Sequence, residues 1–228
     1  MLLKKWDDLP EYMKNNKVKL YYDELSKKRF SLILKRFFDI IMSLILIIIL
    51  SPVFLLIGMW IKCDSQGSIF YRQERVTQYG RIFKIFKFRT MVSNADKIGT
   101  LVTTQNDSRI TKVGEKIRKV RLDELPQLFN ILVGDMSFVG TRPEVKKYVD
   151  EYFDEMYATL LLPAGVTSLA SIKFKDEDEL LNKADNADVV YVKKILPEKM
   201  KYNLESIREF SFWKEFDIMM KTVLEVTR

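Results

Sequence analysis

IIMSLILIIILSPVFLLIGMWI, residues 40–61, runs for 22 positions without a charge, interrupted only by Ser43, Ser51, Pro52 and Gly58. A straight helix of that length would reach roughly 33 Å, enough for a hydrocarbon core of about 30 Å. The stretch therefore reads as a membrane segment. It is not a cleavable signal, because a long charged stretch precedes it and no small-residue cleavage site follows it. Lys35 and Arg36 stand before it, while Lys62, Arg72, Arg75, Arg81, Lys84, Lys87 and Arg89 follow. The positive-inside tendency would keep both flanks on the cytoplasmic side, which one straight span cannot do. A helix broken at Ser51-Pro52 can do so: proline removes a backbone donor, and the serine hydroxyl can cap a freed backbone group. Composition alone leaves a kinked spanning helix and a re-entrant hairpin equally open.

The chain has 228 residues, with 38 Lys and Arg against 31 Asp and Glu, a net charge of +7, no histidine and one cysteine. Without histidine there is no Ser-His-Asp or Cys-His machinery and no His-Cys zinc site, and a single cysteine closes no internal disulfide. Nucleophilic or acid-base work would fall to carboxylates, with Lys, Tyr or a hard metal ion in support. Neither a Walker loop nor a Gly-x-Gly-x-x-Gly fingerprint is present.

Before the apolar stretch, Met1 to Phe30 mixes Trp6, Tyr12, Tyr21 and Tyr22 with many charges and reads as a surface-packed or interfacial extension. After it, Ser68 to Val76 and Arg81 to Thr90 flank Thr77-Gln78-Tyr79-Gly80 and predict a β-hairpin. That hairpin is basic. It suits lipid headgroups or a phosphorylated substrate, the forked donors of Arg72, Arg75 and Arg89 matching phosphate oxygens; nucleic acid is a poor third choice. Gly114 to Arg121 predicts a short basic helix. Asp123 is suited to N-cap the next one, with Pro126 in its first turn and Gly134 as its stop. Two adjacent carboxylates, Asp123 and Glu124, sit there beside Arg118 and Arg121; a cap with an acidic first turn explains most such pairs, and the arginines favour a functional cluster.

Further on, Val145 to Leu161 predicts one amphipathic helix with Asp150, Glu151, Asp154 and Glu155 on its solvated face. Lys173 to Asp188 predicts a polar surface excursion. Pro197 introduces a final helical part, where Ile207, Phe210, Trp213, Phe216, Met220 and Val223 suit either a core or a bilayer interface.

Together these residues resemble the bacterial monotopic phosphoglycosyl transferases, sugar transferases of the undecaprenyl-phosphate type. The matching stretches are Lys35-Arg36-Phe37-Phe38-Asp39, Ser51-Pro52, Phe70-Tyr71-Arg72-Gln73-Glu74-Arg75 and Phe86-Lys87-Phe88-Arg89-Thr90-Met91. They continue with Arg109-Ile110-Thr111-Lys112-Val113-Gly114, Leu122-Asp123-Glu124-Leu125-Pro126-Gln127-Leu128-Phe129-Asn130, and Gly134 to Gly140 leading into Arg142-Pro143. Such an ordered set, running from Lys35 to Thr222, is far more specific than any one of its parts.

The resemblance implies an α+β fold: a mainly helical monotopic membrane protein with a re-entrant helix hairpin, a small β-hairpin and amphipathic interfacial helices. Residues 1–34 would be the extension, 35–62 the membrane hairpin broken at Ser51 and Pro52, and 63–228 the cytoplasmic catalytic domain. It implies transfer of a sugar-1-phosphate from a nucleotide sugar, usually a UDP-sugar, to polyprenyl phosphate, at the cytoplasmic face of the bacterial inner membrane. Asp123 matches the family's nucleophile and would lie close to a required Mg²⁺. Glu124 matches its partner, assigned to deprotonation of the lipid phosphate. Lys87, Arg118 and Arg142 match positions for substrate phosphates, and Arg89, with its forked donors, is counted with them as substrate-binding. Membrane lipids are partners, nucleic acid is not, and a homo-oligomer is left open. Four departures stand out: Thr77 and Ser168 replace glycines, Thr141 a proline and Ser171 a glutamine, so the Pro163–Ser171 run puts sugar identity in doubt. The alternative is a membrane-anchored lipid-binding scaffold without turnover, against which the intact Asp123 and Glu124 argue.

Overall fold

In the computed structural model, residues 3–95, 107–174 and 187–226 are described; most of the Lys173–Asp188 excursion lies outside them. Helix α1 (Asn16–Ser26) leads into a 36-residue helix, α2 (Arg29–Asp64), which contains the whole apolar stretch. Its helix continues through Ser51-Pro52, one element where two were expected. Pro52 has no N–H to offer the carbonyl of Ile48, and the Ser51 hydroxyl donates to that carbonyl instead, at 2.8 Å. The serine thus satisfies the carbonyl that the proline leaves open, at the midpoint of the apolar stretch.

One stripe of α2 is buried at three- and four-residue spacing: Leu32, Lys35, Asp39, Ser43, Ile57, Gly58 and Ile61. Between its two ends, Leu46, Ile47, Leu50 and Phe54 pack on Phe83, Ile85, Leu128 and Ile131. The opposite face, including Phe37, Ile48, Ile49, Leu55, Leu56 and Met59, is exposed. Polar residues fix the start of the helix. Lys35 donates to the Val139 carbonyl at 2.7 Å and pairs with Glu215; Asp39 accepts from the Ser137 hydroxyl at 2.8 Å. Arg36 donates to the carbonyls of Ile131 and Leu132 at 2.7 and 2.9 Å, satisfying the end of another helix. At the far end, Asp64 accepts from the Val113 amide at 3.1 Å.

The hairpin forms as expected, from β1 (Phe70–Val76) and β2 (Ile82–Phe88), antiparallel with Phe70 opposite Phe88 and Val76 opposite Ile82. Its turn passes through Tyr79 and Gly80 with φ of 59° and 74°. Thr77, where the resemblance expects glycine, is extended and buried: its hydroxyl donates to the Asp135 carbonyl at 2.7 Å and accepts from the Ala164 amide at 3.1 Å. A side chain is accommodated because no left-handed backbone is needed there.

Helix α3 (Lys112–Lys119) is N-capped by the Thr111 hydroxyl, and α4 (Gln127–Val133) stops at Gly134 with φ of 93°. Strand β3 (Met136–Val139) pairs in parallel with β4 (Ala164–Thr167). Between them the single amphipathic helix expected over Val145–Leu161 is replaced by a short α5 (Lys146–Val149), a bend, and a tight 3₁₀ turn, Met156–Leu161. Ala158, Thr159, Leu160, Leu161 and Leu162 are all buried, and five successive buried residues cannot share one face of a surface helix. Helix α6 (Leu169–Lys173) is N-capped by Ser168. Helical turns from Ala187 to Ile195 run into α7 (Leu196–Arg208), with Pro197 in its first turn, and α8 (Phe212–Val226) follows.

The main core joins Leu9, Met13, Val18, Tyr21 and Leu25 to Tyr148–Leu162 and to Ile195–Phe210. The N-terminal residues thus build the core rather than only lying on the surface. Ile207 and Phe210 belong to that core, whereas Trp213, Phe216, Met220 and Val223 of α8 are exposed. Helix α8 is fixed to α2 through Glu215 and through Phe38, whose ring meets those of Phe212 and Phe216.

Asn130 of α4 closes the free edge of β2, accepting from the Phe86 amide at 2.9 Å and donating to the Lys84 carbonyl at 3.0 Å. Asn130→Ala leaves both groups without this partner at a part-buried edge and is expected to cost about 1–3 kcal/mol. Chemical denaturation would read this as a lower midpoint, and an unchanged midpoint would remove Asn130 from the account.

Candidate active site

Lys87 is the penultimate residue of β2, and on the same face of the hairpin stand Tyr71, Gln73 and Arg75. These side chains, with Arg89, Arg109, Arg118 and Asp123, line a cleft of about 450 Å³. Period-two alternation sorts the arginines singled out from sequence. Arg75 faces the cleft, while Arg72 lies on the other face with its guanidinium 4.5 Å from the Phe86 ring. Tyr71, Gln73 and Arg109 were not foreseen as lining residues; the same alternation would have picked out the first two.

Asp123 and Glu124 lie in a 3₁₀ turn, Leu122–Glu124, and Asp123 does not cap α4. The cause is Pro126: it brings no N–H, so the chain stays in i→i+3 bonds from Arg121 to Phe129 and α4 begins only at Gln127. Just before the turn, Arg121 is left-handed, with φ of 57°. A non-glycine residue in that region is uncommon, and here it reverses the chain so that Asp123 and Glu124 come back beneath α3.

Glu124 is clamped between two cations, 3.0 Å from Lys87 Nζ and 2.8 Å from an Nη of Arg142, which reaches in from the segment after β3. Burial pushes its carboxyl up, but Arg142 and Lys87 together outweigh that and hold it well below the usual carboxylate range. Burial lowers Lys87, with Glu124 opposing. Asp123, 9% exposed, is raised by burial; Lys87 and Arg118 oppose this, and Glu124 adds to it. Neighbouring carboxylates are thus driven apart: Glu124 is a fixed anion, and Asp123 is the more basic of the two, facing the cleft.

Of the residues expected to bind phosphates, Lys87 and Arg142 meet at Glu124, and Arg118 lines the cleft with Asp123. Arg89 lines it too, but its guanidinium donates to the carbonyls of Ser65 and Gln66. The Pro163–Ser171 run does not line this cleft; its β4 residues pair with β3, and Ser168 is turned to capping.

A buried Asp123 and a largely buried Glu124 thus stand at a cationic cleft, in a chain whose described residues include one helix long and apolar enough to cross a membrane. The chain belongs to the bacterial sugar transferase family, whose profile matches residues 30–228. It is 36% identical over 194 residues to UDP-N-acetylgalactosamine-undecaprenyl-phosphate N-acetylgalactosaminephosphotransferase of Aeromonas hydrophila, covering 83% of this chain and 43% of that protein. To UDP-glucose:undecaprenyl-phosphate glucose-1-phosphate transferase of Klebsiella pneumoniae it is 35% identical over 201 residues, 86% of this chain and 40% of the other. To the exopolysaccharide production protein ExoY of Sinorhizobium fredii it is 38% identical over 158 residues, 63% and 70%. The chain thus spans about two fifths of the first two relatives. Their names carry different sugars at nearly equal identity, so identity does not choose the sugar.

Proposed function

We propose that this chain transfers a sugar-1-phosphate from a UDP-sugar to undecaprenyl phosphate. The observation that carries this is Asp123 at the cleft floor beside a Glu124 already holding Lys87 and Arg142. In the first half, an Asp123 carboxylate oxygen bonds to the sugar-bearing phosphorus of the donor, the bond from that phosphorus to the bridging oxygen breaks, and UMP leaves. In the second, an oxygen of undecaprenyl phosphate bonds to the same phosphorus and the Asp123 carboxylate is released. A diphosphate entering the cleft competes for Lys87 and Arg142. As they turn to it, Glu124 loses the cations that keep it a weak base and becomes able to take a proton from the acceptor phosphate.

No group of three carboxylate, Cys or His side chains suited to a metal ion is found among the described residues. Magnesium is commonly held by one or two carboxylates together with substrate phosphates, and Asp123 fits that arrangement. When bound, the ion would neutralise charge on the diphosphate.

We place α2 in one leaflet, entering and leaving on the cytoplasmic side of the inner membrane. Both its ends are bonded to the same folded body, Arg36 to α4 and Asp64 to Val113, and its middle packs on that body too. A straight crossing would set those ends on opposite sides of about 30 Å of hydrocarbon. The exposed apolar face of α8 lies beside α2 and would rest on the same surface. The native thiol of Cys63 and a Lys27→Cys thiol in a Cys63→Ser background should both react with an impermeant maleimide only from the cytoplasmic side. Reaction from opposite sides would remove the one-leaflet placement.

The function itself is tested by incubating purified protein with a panel of UDP-sugars, Mg²⁺ and undecaprenyl phosphate. UMP release together with a sugar diphospholipid detected by mass spectrometry is expected for at least one donor. No release with any donor would leave the scaffold reading in its place.

A further inference from the structure

Residues 86–90 lie where three parts of the molecule meet. Arg89, 6% exposed, donates through one Nη to the Gln66 carbonyl at 2.6 Å and towards the Ser93 hydroxyl at 3.4 Å. Through the other it donates to the Ser65 carbonyl at 2.7 Å and the Ser65 hydroxyl at 2.9 Å. A guanidinium has five N–H groups, four of them on the Nη atoms, so all four are engaged. The fifth, on Nε, is buried and meets no acceptor. The paired Nη donors with which a guanidinium grips a phosphate are therefore all taken, and the one donor without an acceptor is buried.

The joint is sterically specified. Gly67 has φ of +126°, and a Cβ there would fall on the Arg89 guanidinium and the Ser93 hydroxyl. Thr90 extends the joint to α3: its carbonyl accepts from the Thr111 amide at 3.0 Å, and a Cβ on Gly114 would strike the Thr90 backbone. The exit of α2, the end of β2 carrying Lys87, and the start of the helix carrying Arg118 are thus fastened at one point.

We infer that Arg89 is a positioning residue: by tying the exit of α2 to β2, it sets Lys87 and Arg118 in place around the diphosphate, and it does not itself ligand phosphate. The inference rests on reading the cleft as the donor site. Its energetic logic is that misplacing a charged group by about 1 Å can cost on the order of 10²-fold in rate.

Arg89→Gln is expected to lower kcat by about 10- to 100-fold while KM for the UDP-sugar stays within about threefold, since a lost phosphate ligand would raise KM instead. Arg89→Lys should not rescue, because one ammonium cannot span Ser65 and Gln66 as the fork does. Gly67→Ala should reproduce the Arg89→Gln pattern although residue 67 lies outside the cleft lining, and the double variant should be no slower than Arg89→Gln alone. If Gly67→Ala does not fold, Ser65→Ala carries the same expectation at about two- to fivefold. Hydrogen exchange supplies a readout independent of turnover: in the variants, amides of 65–69 and 84–91 should exchange faster together while 148–162 stays protected. A raised KM with unchanged kcat in Arg89→Gln, or unchanged exchange in these segments, overturns the tie. Wild-type protein silent towards every donor while the exchange result holds would refute the donor site and leave the tie standing.

Discussion

Asp123→Asn should abolish UMP release, by at least about 10³-fold, while leaving the fold as stable as before. Asparagine keeps the shape of the side chain but cannot form an acyl phosphate. Stability should not suffer, because burial already disfavours the charge on Asp123 and Glu124 places a second negative charge beside it. Two measurements read the result together: the melting temperature, expected unchanged, and intact-protein mass after mixing with donor alone, expected to show a phosphosugar adduct in the wild type and none in the variant. A variant retaining more than about a tenth of the wild-type release would exclude Asp123 as nucleophile.

Lys87→Met should lower kcat/KM by about 10²- to 10³-fold, because it removes a cation of the proposed donor site and leaves Glu124 with its Arg142 pair but without its Lys87 pair. The pH profile tells how Lys87 works. Burial lowers it from 10.5, with Glu124 opposing, so its protonated form is lost at a lower pH than that of an ordinary lysine. If the ammonium is the active form, activity falls as pH rises through that point. In Lys87→Arg the guanidinium does not titrate in this range, and the alkaline fall should move to higher pH. The same alkaline limb in both proteins would show that Lys87 does not set it.

The parts of the molecule legible in the sequence are those written in local spacing. Alternation gave the hairpin and its turn, Gly134 marked the end of α4, and the ordered Asp123-Glu124 pair among arginines marked the cleft floor. What stayed hidden depends on contacts distant in the chain. Arg36 finds its carbonyls 95 and 96 positions away, and Arg89 finds Ser65 and Gln66 behind it. A basic residue at either place carries the same local signature as a phosphate ligand. The helix expected over Val145–Leu161 failed because its apolar spacing does not reveal that the chain is enclosed on several sides. Pro126 was legible as a residue of a first turn, but not as the reason that the turn is 3₁₀ and that Asp123 is turned from cap to cleft.

The placing of Leu9, Met13, Val18 and Leu25 in the main core has a bearing on the order in which the molecule is made. Their partners, from Tyr148 onward, are synthesised only after α2. About 120 residues separate the two, roughly 6 to 25 s of translation at typical bacterial rates. The apolar helix can therefore meet the bilayer while the segment before it has no core to join. On the proposed one-leaflet placement, membrane entry would precede closure of the core, so a nascent chain halted before residue 148 should carry a membrane-bound helix behind an N-terminal segment that a protease can still reach.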